Sequence, residues 1–185
     1  MTPLVLWLMR VLRWLPLPVL RALGAALGTL LYFCVPSRRR VASTNLALCF
    51  PQWTPAQRAR AVREHFRVFA QAWLDRSWLW HGTPALVRRR VRLCGDASVL
   101  NNAKQPVVIF APHFVGLDVG WTALAFSIDR AFITIYTQQS NEQVDRWVER
   151  GRSRWGRVSL FRREAGVKPV ISALRDGAAL YLLPD

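Results

Sequence analysis

The chain has 185 residues, of which 26 are basic and 11 acidic, so its formal net charge is +15. A hydrophobic share of 52% argues against an intrinsically disordered chain, and the length suits one domain with a substantial core better than two. All the basic residues except Lys104 and Lys168 are arginines, which recognise phosphate and carboxylate groups in a planar, bidentate geometry. This charge predicts an anionic partner: a nucleic acid, a membrane surface, a phosphorylated lipid or an acidic protein.

The three cysteines, Cys34, Cys49 and Cys94, do not have the spacing of a metal site. They are interpreted as reduced structural thiols of a protein that faces the cytosol. With only three histidines in the chain and no cysteine pair near them, no zinc site is predicted.

The N-terminal region, residues 3–36, is mostly apolar. Its longest uninterrupted apolar stretch, 22–35, has 14 residues, whereas a full span needs about 20, although Arg21 can extend its charge toward an interface. Arginines at 38–40 follow in place of a cleavage site, so no cleaved signal peptide is predicted and this cluster is expected on the cytoplasmic side. We predict that residues 1–40 are a hydrophobic membrane anchor with a basic stop, either spanning the bilayer or lying in its interface. The alternative is that these helices pack on the domain and never meet lipid.

A helix start is predicted at Thr54, with Pro55 in the first turn and Gln57 closing a capping box. The helix is predicted to run to about Trp80. Its buried stripe is predicted from apolar residues at helical spacing, namely Val62, Phe66, Phe69 and Trp73.

After Gly82 short apolar runs alternate with helical patterns. Strands are predicted at 91–94, 107–111, 131–136, 158–161 and 178–183, and helices at 114–126, after the cap Asn141, and at 166–175. This alternation predicts an α/β fold with a largely parallel sheet flanked by helices, and residues 41–185 are assigned to that domain.

Polar residues follow several of the predicted strands. His113, the segment 137–141 and Asp185 all lie at the carboxyl ends of strands. Because ligands of such sheets bind beyond these ends, the placement predicts one shared site.

His113 and Asp118 form the candidate catalytic pair. His113 follows a strand and Pro112, Asp118 lies in the first turn of the next helix, and Gly116 permits a turn between them. In that geometry Asp118 accepts one imidazole N–H and fixes the tautomer, while the other nitrogen takes a proton from a substrate hydroxyl that attacks an activated acyl carbon. The alternative is an Asp118 that only favours the helix N-terminus electrostatically, beside a structural His113.

The H-x4-D segment 113–118 resembles the signature of the glycerolipid and lipid A acyltransferases. The specific resemblance is to the late acyltransferases of lipid A biosynthesis, the lauroyl and myristoyl acyltransferases of Gram-negative inner membranes. Four further features match the family. The first is the apolar anchor followed by Asn45–Pro51, and the second is the strand Ile133–Tyr136, which leads to Asn141-x3-Asp145 and Gly151-Arg152. The third is Arg162-Arg163 before a helix with Leu174–Gly177, and the fourth is Leu182–Asp185, which is similar to the family's Leu-Pro-Asp-x-Asp motif cut short.

The resemblance implies acyl transfer from acyl-acyl carrier protein to a hydroxyl of a phosphorylated lipid A precursor, at the cytoplasmic face of the bacterial inner membrane. It implies that His113 is the general base, Asp118 its orienting acid, and Arg152 a group that binds phosphate or the acyl carbonyl region. Asn141 and Asp185 are the other predicted substrate-binding residues, and neither a metal nor another cofactor is implied.

The stretch 146–175 holds nine basic residues against two glutamates, which fits an acidic carrier protein, a phosphorylated lipid and an anionic membrane. The alternative for any single arginine there is a solvated helix face.

The chain stops inside the Pro-Asp motif, so later strands of the family's domain are expected beyond Asp185. The sequence is then either a fragment or a truncated product. Two other hypotheses stay open: an acyltransferase acting on another glycolipid or glycerolipid acceptor, and an inactive basic protein that binds membranes. No recognisable nucleic-acid-binding motif is present, so a nucleic-acid partner is not predicted.

Overall fold

The computed structural model describes residues 2–101 and 105–183, and Asp185 lies outside them. The chain divides into two compact units, the first made of Met1–Arg13 with Arg76–Asp185 and the second of Trp14–Asp75. The helices are α1 (Thr2–Leu12), α2 (Leu17–Cys34), α3 (Pro36–Cys49), α4 (Pro55–His81), α5 (Pro84–Arg90), α6 (Leu117–Ser127), α7 (Glu142–Arg152) and α8 (Lys168–Arg175). The strands are β1 (Val107–Phe110), β2 (Ala131–Tyr136), β3 (Arg157–Arg162) and β4 (Ala179–Leu182).

The four strands form one parallel sheet in the order β1-β4-β2-β3. Ala179 of the central strand β4 is in register with Val107 on one side and Phe132 on the other. Helices α6, α7 and α8 make the crossovers that parallel neighbours require. The predicted α/β fold with a parallel sheet flanked by helices is therefore confirmed.

The core lies on both faces of the sheet, because successive side chains of a strand point to opposite sides. Phe132 of β2 belongs to one buried cluster with Trp121 of α6 and Tyr181 of β4. The next residue, Ile133, belongs to the opposite cluster with Val170 of α8. Burial of each such side chain stabilises the fold by roughly 1.5–3 kcal/mol.

Two predicted elements of this unit differ from the structure by more than two residues. Residues 91–94 are not a strand, because this short run, in which Arg92 and Cys94 are exposed, has no ladder partner among the described strands. Helix α6 begins at Leu117 rather than at 114, because residues 111–116 form the loop that carries His113.

The capping box predicted for α4 is present. The main-chain N–H of Thr54 donates to Gln57 Oε1 at 2.7 Å, and the main-chain N–H of Gln57 donates to Thr54 Oγ1 at 3.2 Å. These reciprocal bonds satisfy donors that the helix leaves open at its N-terminus.

The buried stripe predicted for α4 is wrong at Phe69, which is 51% exposed. Ala70 and Leu74 are buried instead and continue the stripe that starts at Val62 and Phe66. These buried residues of α4 follow one another at intervals of four, and Phe69 lies beside this stripe rather than on it.

In the second unit, α2 is long and apolar enough to cross a membrane, as judged by length and composition, and only 17% of it is buried. It begins five residues before the predicted stretch, because Arg21 does not interrupt it: its guanidinium pairs with the buried carboxylate of Asp75 at 3.0 Å. Gly28 permits a close approach to α4, since a Cβ there would clash with main-chain atoms of Phe66 and Arg67.

Candidate active site

The loop between β1 and α6 carries His113 at the carboxyl end of the sheet. The main-chain N–H of Ala111 donates to the carbonyl oxygen of Leu182 at 2.9 Å, which holds the start of the loop on β4. His113 is exposed two residues later. Gly116 is the N-cap of α6, and its φ of −87° is one that other residues also adopt. The histidine is therefore presented to solvent at the edge where ligands of such sheets bind.

Asp118 lies in the first turn of α6 and is only 8% exposed. Arg76 Nε donates to its Oδ2 at 2.8 Å, and Arg152 Nε donates to its Oδ1 at 3.0 Å. The two arginines come from α4 and α7, so three helices converge on one carboxylate. We call these three residues the Asp118 cluster.

The Asp118 cluster keeps its carboxylate ionised. Burial acts to raise the pKa of Asp118, but the positive charges and hydrogen bonds of Arg152 and Arg76 outweigh burial and hold the pKa below its ordinary value. Removal of one partner from a buried ion pair typically costs about 3–5 kcal/mol.

Both arginines of the cluster are fixed by tryptophans. The carbonyl oxygen of Arg152 accepts a hydrogen bond from Trp121 Nε1 at 2.8 Å. The guanidinium of Arg76 lies over the ring of Trp80, with its carbon 5.2 Å from the centroid. The cation–π contact limits the freedom of the Arg76 side chain, and the hydrogen bond from Trp121 holds the main chain at Arg152.

The glycine that precedes Arg152 has a packing role. A Cβ at Gly151 would clash with the indole ring of Trp80. Gly151 therefore lets α7 approach Trp80 closely enough for the next residue to contact Asp118. This gives a physical reason for the Gly151-Arg152 pair that the sequence singles out.

Tyr181 of β4 is a buried residue near the cluster. Its ring packs edge-on against Trp121, with centroids 5.2 Å apart. Burial raises the pKa of Tyr181, and the negative charge of Asp118 acts in the same direction. The phenol thus remains a protonated hydrogen-bond donor at neutral pH.

Asn141 lies at the carboxyl end of β2, where it caps α7. Its Oδ1 accepts from the main-chain N–H groups of Gln143 at 3.0 Å and Val144 at 3.1 Å. Asp145, four residues later, is buried and accepts from the main-chain N–H of Gln139 at 2.9 Å. The Asn141-x3-Asp145 pattern therefore fixes the loop that follows β2.

Of the predicted site residues, the structure brings Asp118 and Arg152 into direct contact. His113 follows β1 and Asn141 follows β2 at the same edge of the sheet, with β4 between these strands, and Asp185 is outside the described residues. The contact between His113 and Asp118 stays a prediction. Each carboxylate oxygen accepts one arginine Nε–H and keeps a second lone pair for an imidazole N–H.

Sequence reasoning missed Arg76 and Tyr181. Arg76 lies 42 positions before Asp118, so no local pattern connects the two residues. The available signal was the spacing of Arg76 and Trp80, four residues apart on one helix, which is typical of a cation–π pair. In residues 2–101 and 105–183, no three His, Cys, Asp or Glu side chains cluster as metal ligands would.

Comparison with known proteins gives matches along the chain. A family model for the bacterial lipid A biosynthesis acyltransferases matches residues 1–185. The lipid A biosynthesis palmitoleoyltransferase of Escherichia coli strain K12 is 29% identical over 192 residues, which cover 98% of this chain and 58% of that protein. The lauroyltransferase of the same strain is 27% identical, with 98% and 58% covered. Its myristoyltransferase is 31% identical, with 91% and 51% covered. The chain thus spans little more than half the length of these curated relatives.

Proposed function

Because the chain belongs to the family of bacterial lipid A biosynthesis acyltransferases, we propose that its protein transfers a fatty acyl chain onto a lipid A precursor. The proposed donor is acyl-acyl carrier protein, and the proposed acceptor is a hydroxyl of the phosphorylated precursor. The observation that carries the proposal is the Asp118 cluster, a buried ionised carboxylate directly after the loop that presents His113.

In the proposed reaction, His113 is the general base. It takes the proton of the acceptor hydroxyl as the oxygen attacks the carbonyl carbon of the acyl thioester. The tetrahedral intermediate then collapses, the carbon–sulfur bond breaks, and the imidazolium returns its proton to the carrier thiolate. The products are the acyl ester and the free carrier thiol, so atoms and charges balance.

Asp118 stabilises the imidazolium that forms in this reaction. Its support is electrostatic, because a carboxylate whose pKa is held low stays negative while His113 gains and loses a proton. A carboxylate that took the proton from His113 could not stabilise the imidazolium.

Arg152 is proposed to bind the acyl carbonyl region or a phosphate. Its Nε is used by Asp118, which leaves the donors of its two Nη atoms, and its side chain is 20% exposed. A guanidinium near the reacting carbonyl favours the charge that develops on oxygen. Asn141 and Asp185 remain proposed substrate-binding residues on the basis of the family pattern.

Helix α2 is proposed to anchor the protein in the inner membrane, with the catalytic residues at the cytoplasmic face. Apolar side chains of this helix are exposed along its length, among them Leu23, Leu27, Leu30 and Phe33. The arginines at 38–40 follow it directly, as expected for a cytoplasmic flank.

The proposal is tested with His113→Ala in the full-length protein. The variant is expressed in a strain that lacks its own enzyme, and lipid A is analysed by mass spectrometry. Loss of a general base lowers the rate by about 10²–10⁴-fold, so the added acyl chain should disappear. The matched control is His65→Ala, an exposed histidine of α4, which should keep acylation. Unchanged acylation of lipid A by His113→Ala would show that His113 is not the general base.

The acceptor is tested separately. Purified full-length enzyme is given one acyl donor and a set of acceptors: the lipid A precursor, another glycolipid and a glycerolipid. Product from the lipid A precursor alone supports the proposal. Preferential acylation of one of the other two would assign the same chemistry to a different acceptor.

A further inference from the structure

A cleft of about 500 Å³ in the first unit lies outside the residues assigned to acyl transfer. It is formed by α1, the end of α4 and one face of α7. Its charged and aromatic lining includes Arg10, Arg146, Arg150, Trp7, Trp80 and Trp147. We call it the α1–α7 cleft.

The α1–α7 cleft is strongly basic. No carboxylate is among its lining residues in the described parts of the chain. Arg146 is partly neutralised by Glu142, to which its Nη1 donates at 2.6 Å. Arg10 of α1 and Arg150 of α7 are exposed, and both line the cleft. Guanidinium groups donate bidentate hydrogen bonds to phosphate oxygens, so a cleft lined by arginines from two helices suits a phosphate group.

His81 lines the α1–α7 cleft in its neutral form. Burial lowers the pKa of His81 to about 4, and the charge of Arg10 adds to the effect. The imidazole is therefore neutral at pH 7, and its Nε2 accepts a hydrogen bond from Trp147 Nε1 at 3.0 Å. A neutral histidine adds no charge to the cleft, so its basic character comes from the arginines that line it.

One wall of the cleft is apolar and open to solvent. Trp7 lines the cleft and is exposed, and Leu4 and Leu8 are exposed on the same helix α1. Tryptophan beside leucine and arginine is typical of surfaces that meet a lipid headgroup and the start of its chains. The combination therefore favours an anion that carries a hydrocarbon part.

We propose that the α1–α7 cleft binds the phosphate monoester of a lipid headgroup, with the lipid chains along the exposed face of α1. Gly151 lines the cleft and precedes Arg152, so a headgroup bound there lies close to the Asp118 cluster. The inference extends the proposed function, which includes a phosphorylated lipid acceptor. Its test measures binding alone, so it can fail while acyl transfer stands, and the reverse also holds.

The test uses full-length protein in a non-ionic detergent. Its tryptophan fluorescence is titrated with dihexanoyl phosphatidic acid, dihexanoyl phosphatidylcholine and inorganic phosphate. The variant is Arg10→Ala/Arg150→Ala. The matched control is Arg89→Ala/Arg92→Ala, which removes two exposed arginines of the same unit away from the cleft. Thermal unfolding is recorded for both variants.

The wild type and the control are expected to bind phosphatidic acid with affinities within about twofold, while the cleft variant loses about tenfold or more with its unfolding temperature unchanged. Phosphatidylcholine should not compete. An equal loss of affinity in the control variant would show that the lipid is attracted by net charge alone, and would contradict a specific site in the cleft. Binding of inorganic phosphate as tight as that of the lipid would overturn the lipid part. Unaltered binding by the cleft variant would overturn the whole inference.

Discussion

Two neighbouring residues of α4, Asp75 and Arg76, each take part in an ion pair, and the pairs belong to different units. In the second unit Asp75 pairs with Arg21 of α2, whose side chain is 42% exposed. In the first unit Arg76 helps to enclose Asp118, and neither it nor Arg152 is more than 25% exposed. Solvent screens the first pair much more than the second. The same chemistry therefore holds a helix in one unit and keeps a buried carboxylate ionised at the candidate site of the other.

The largest difference between the two pairs should appear in acyl transfer. Asp118→Asn removes the negative charge that stabilises the imidazolium, and we expect the rate to fall by about 10²–10⁴-fold. Asp75→Asn leaves the Asp118 cluster intact and should retain the rate per folded molecule. The measurement is acyl transfer to a lipid acceptor, normalised by the folded fraction. Equal losses in the two variants would remove the functional distinction between the pairs.

A second difference should appear in the pH dependence of stability. The pKa of Asp118 is lowered in the folded state, so its contribution to stability is present above its unfolded pKa and is lost as the pH falls through its folded pKa. Arg76→Met removes one of the two charges that lower this pKa. The loss of stability on acidification should therefore be smaller in total and be complete at a higher pH. Because Arg152 still pairs with the carboxylate, the cost at pH 7 should be about 1.5–3 kcal/mol.

Urea unfolding between pH 3 and pH 7 measures this effect. Arg21→Met is the matched control, because Arg21 has no part in the Asp118 cluster. An acid transition in Arg76→Met that coincides with that of the wild type would show that Arg76 does not control the carboxylate.

The smallest effects concern three glycines, Gly28 of the second unit and Gly151 and Gly116 of the first. Gly28→Ala sets a methyl group against main-chain atoms of α4, and Gly151→Ala sets one against the ring of Trp80. Overpacking costs about 1–3 kcal/mol, and we expect the larger cost at Gly28, since a main chain yields less than a side chain. Gly116→Ala has open space and should change stability by less than about 0.5 kcal/mol.

Thermal unfolding ranks the stabilities of these three variants, and the rate of acyl transfer distinguishes Gly151→Ala from Gly28→Ala. Gly151→Ala should also slow acyl transfer, because it displaces Arg152, whereas Gly28→Ala should act on stability alone. A normal rate for Gly151→Ala would mean that the cluster tolerates the shift of α7.

The sequence predicted those parts of the fold that depend on local patterns. β2 is observed at the predicted residues 131–136, and Asn141 caps α7 as expected. Residues 91–94 were assigned wrongly, because a strand exists only if a neighbour pairs with it. Phe69 was misplaced because two stripes of α4 have similar spacing, and tertiary packing selects between them.

Within the site, His113 and Asp118 were predicted from a local motif, and Arg152 from the family resemblance. Their mutual contacts are long-range: Arg152 is 34 positions from Asp118, and Arg76 is 42 positions away on the other side. Only the crossing of three helices brings them together, and no pattern within a single helix encodes that crossing.

The strand order β1-β4-β2-β3 has a consequence for synthesis on the ribosome. β4 is the last of the described strands to emerge, yet it lies between β1 and β2. During translation β2 and β3 can pair early, while β1 and the following loop with His113 wait for residues 179–182. Such late, non-local pairing is slow, so the nascent chain should need protection of its apolar strands, and a chaperone that binds β1 should delay assembly of the site.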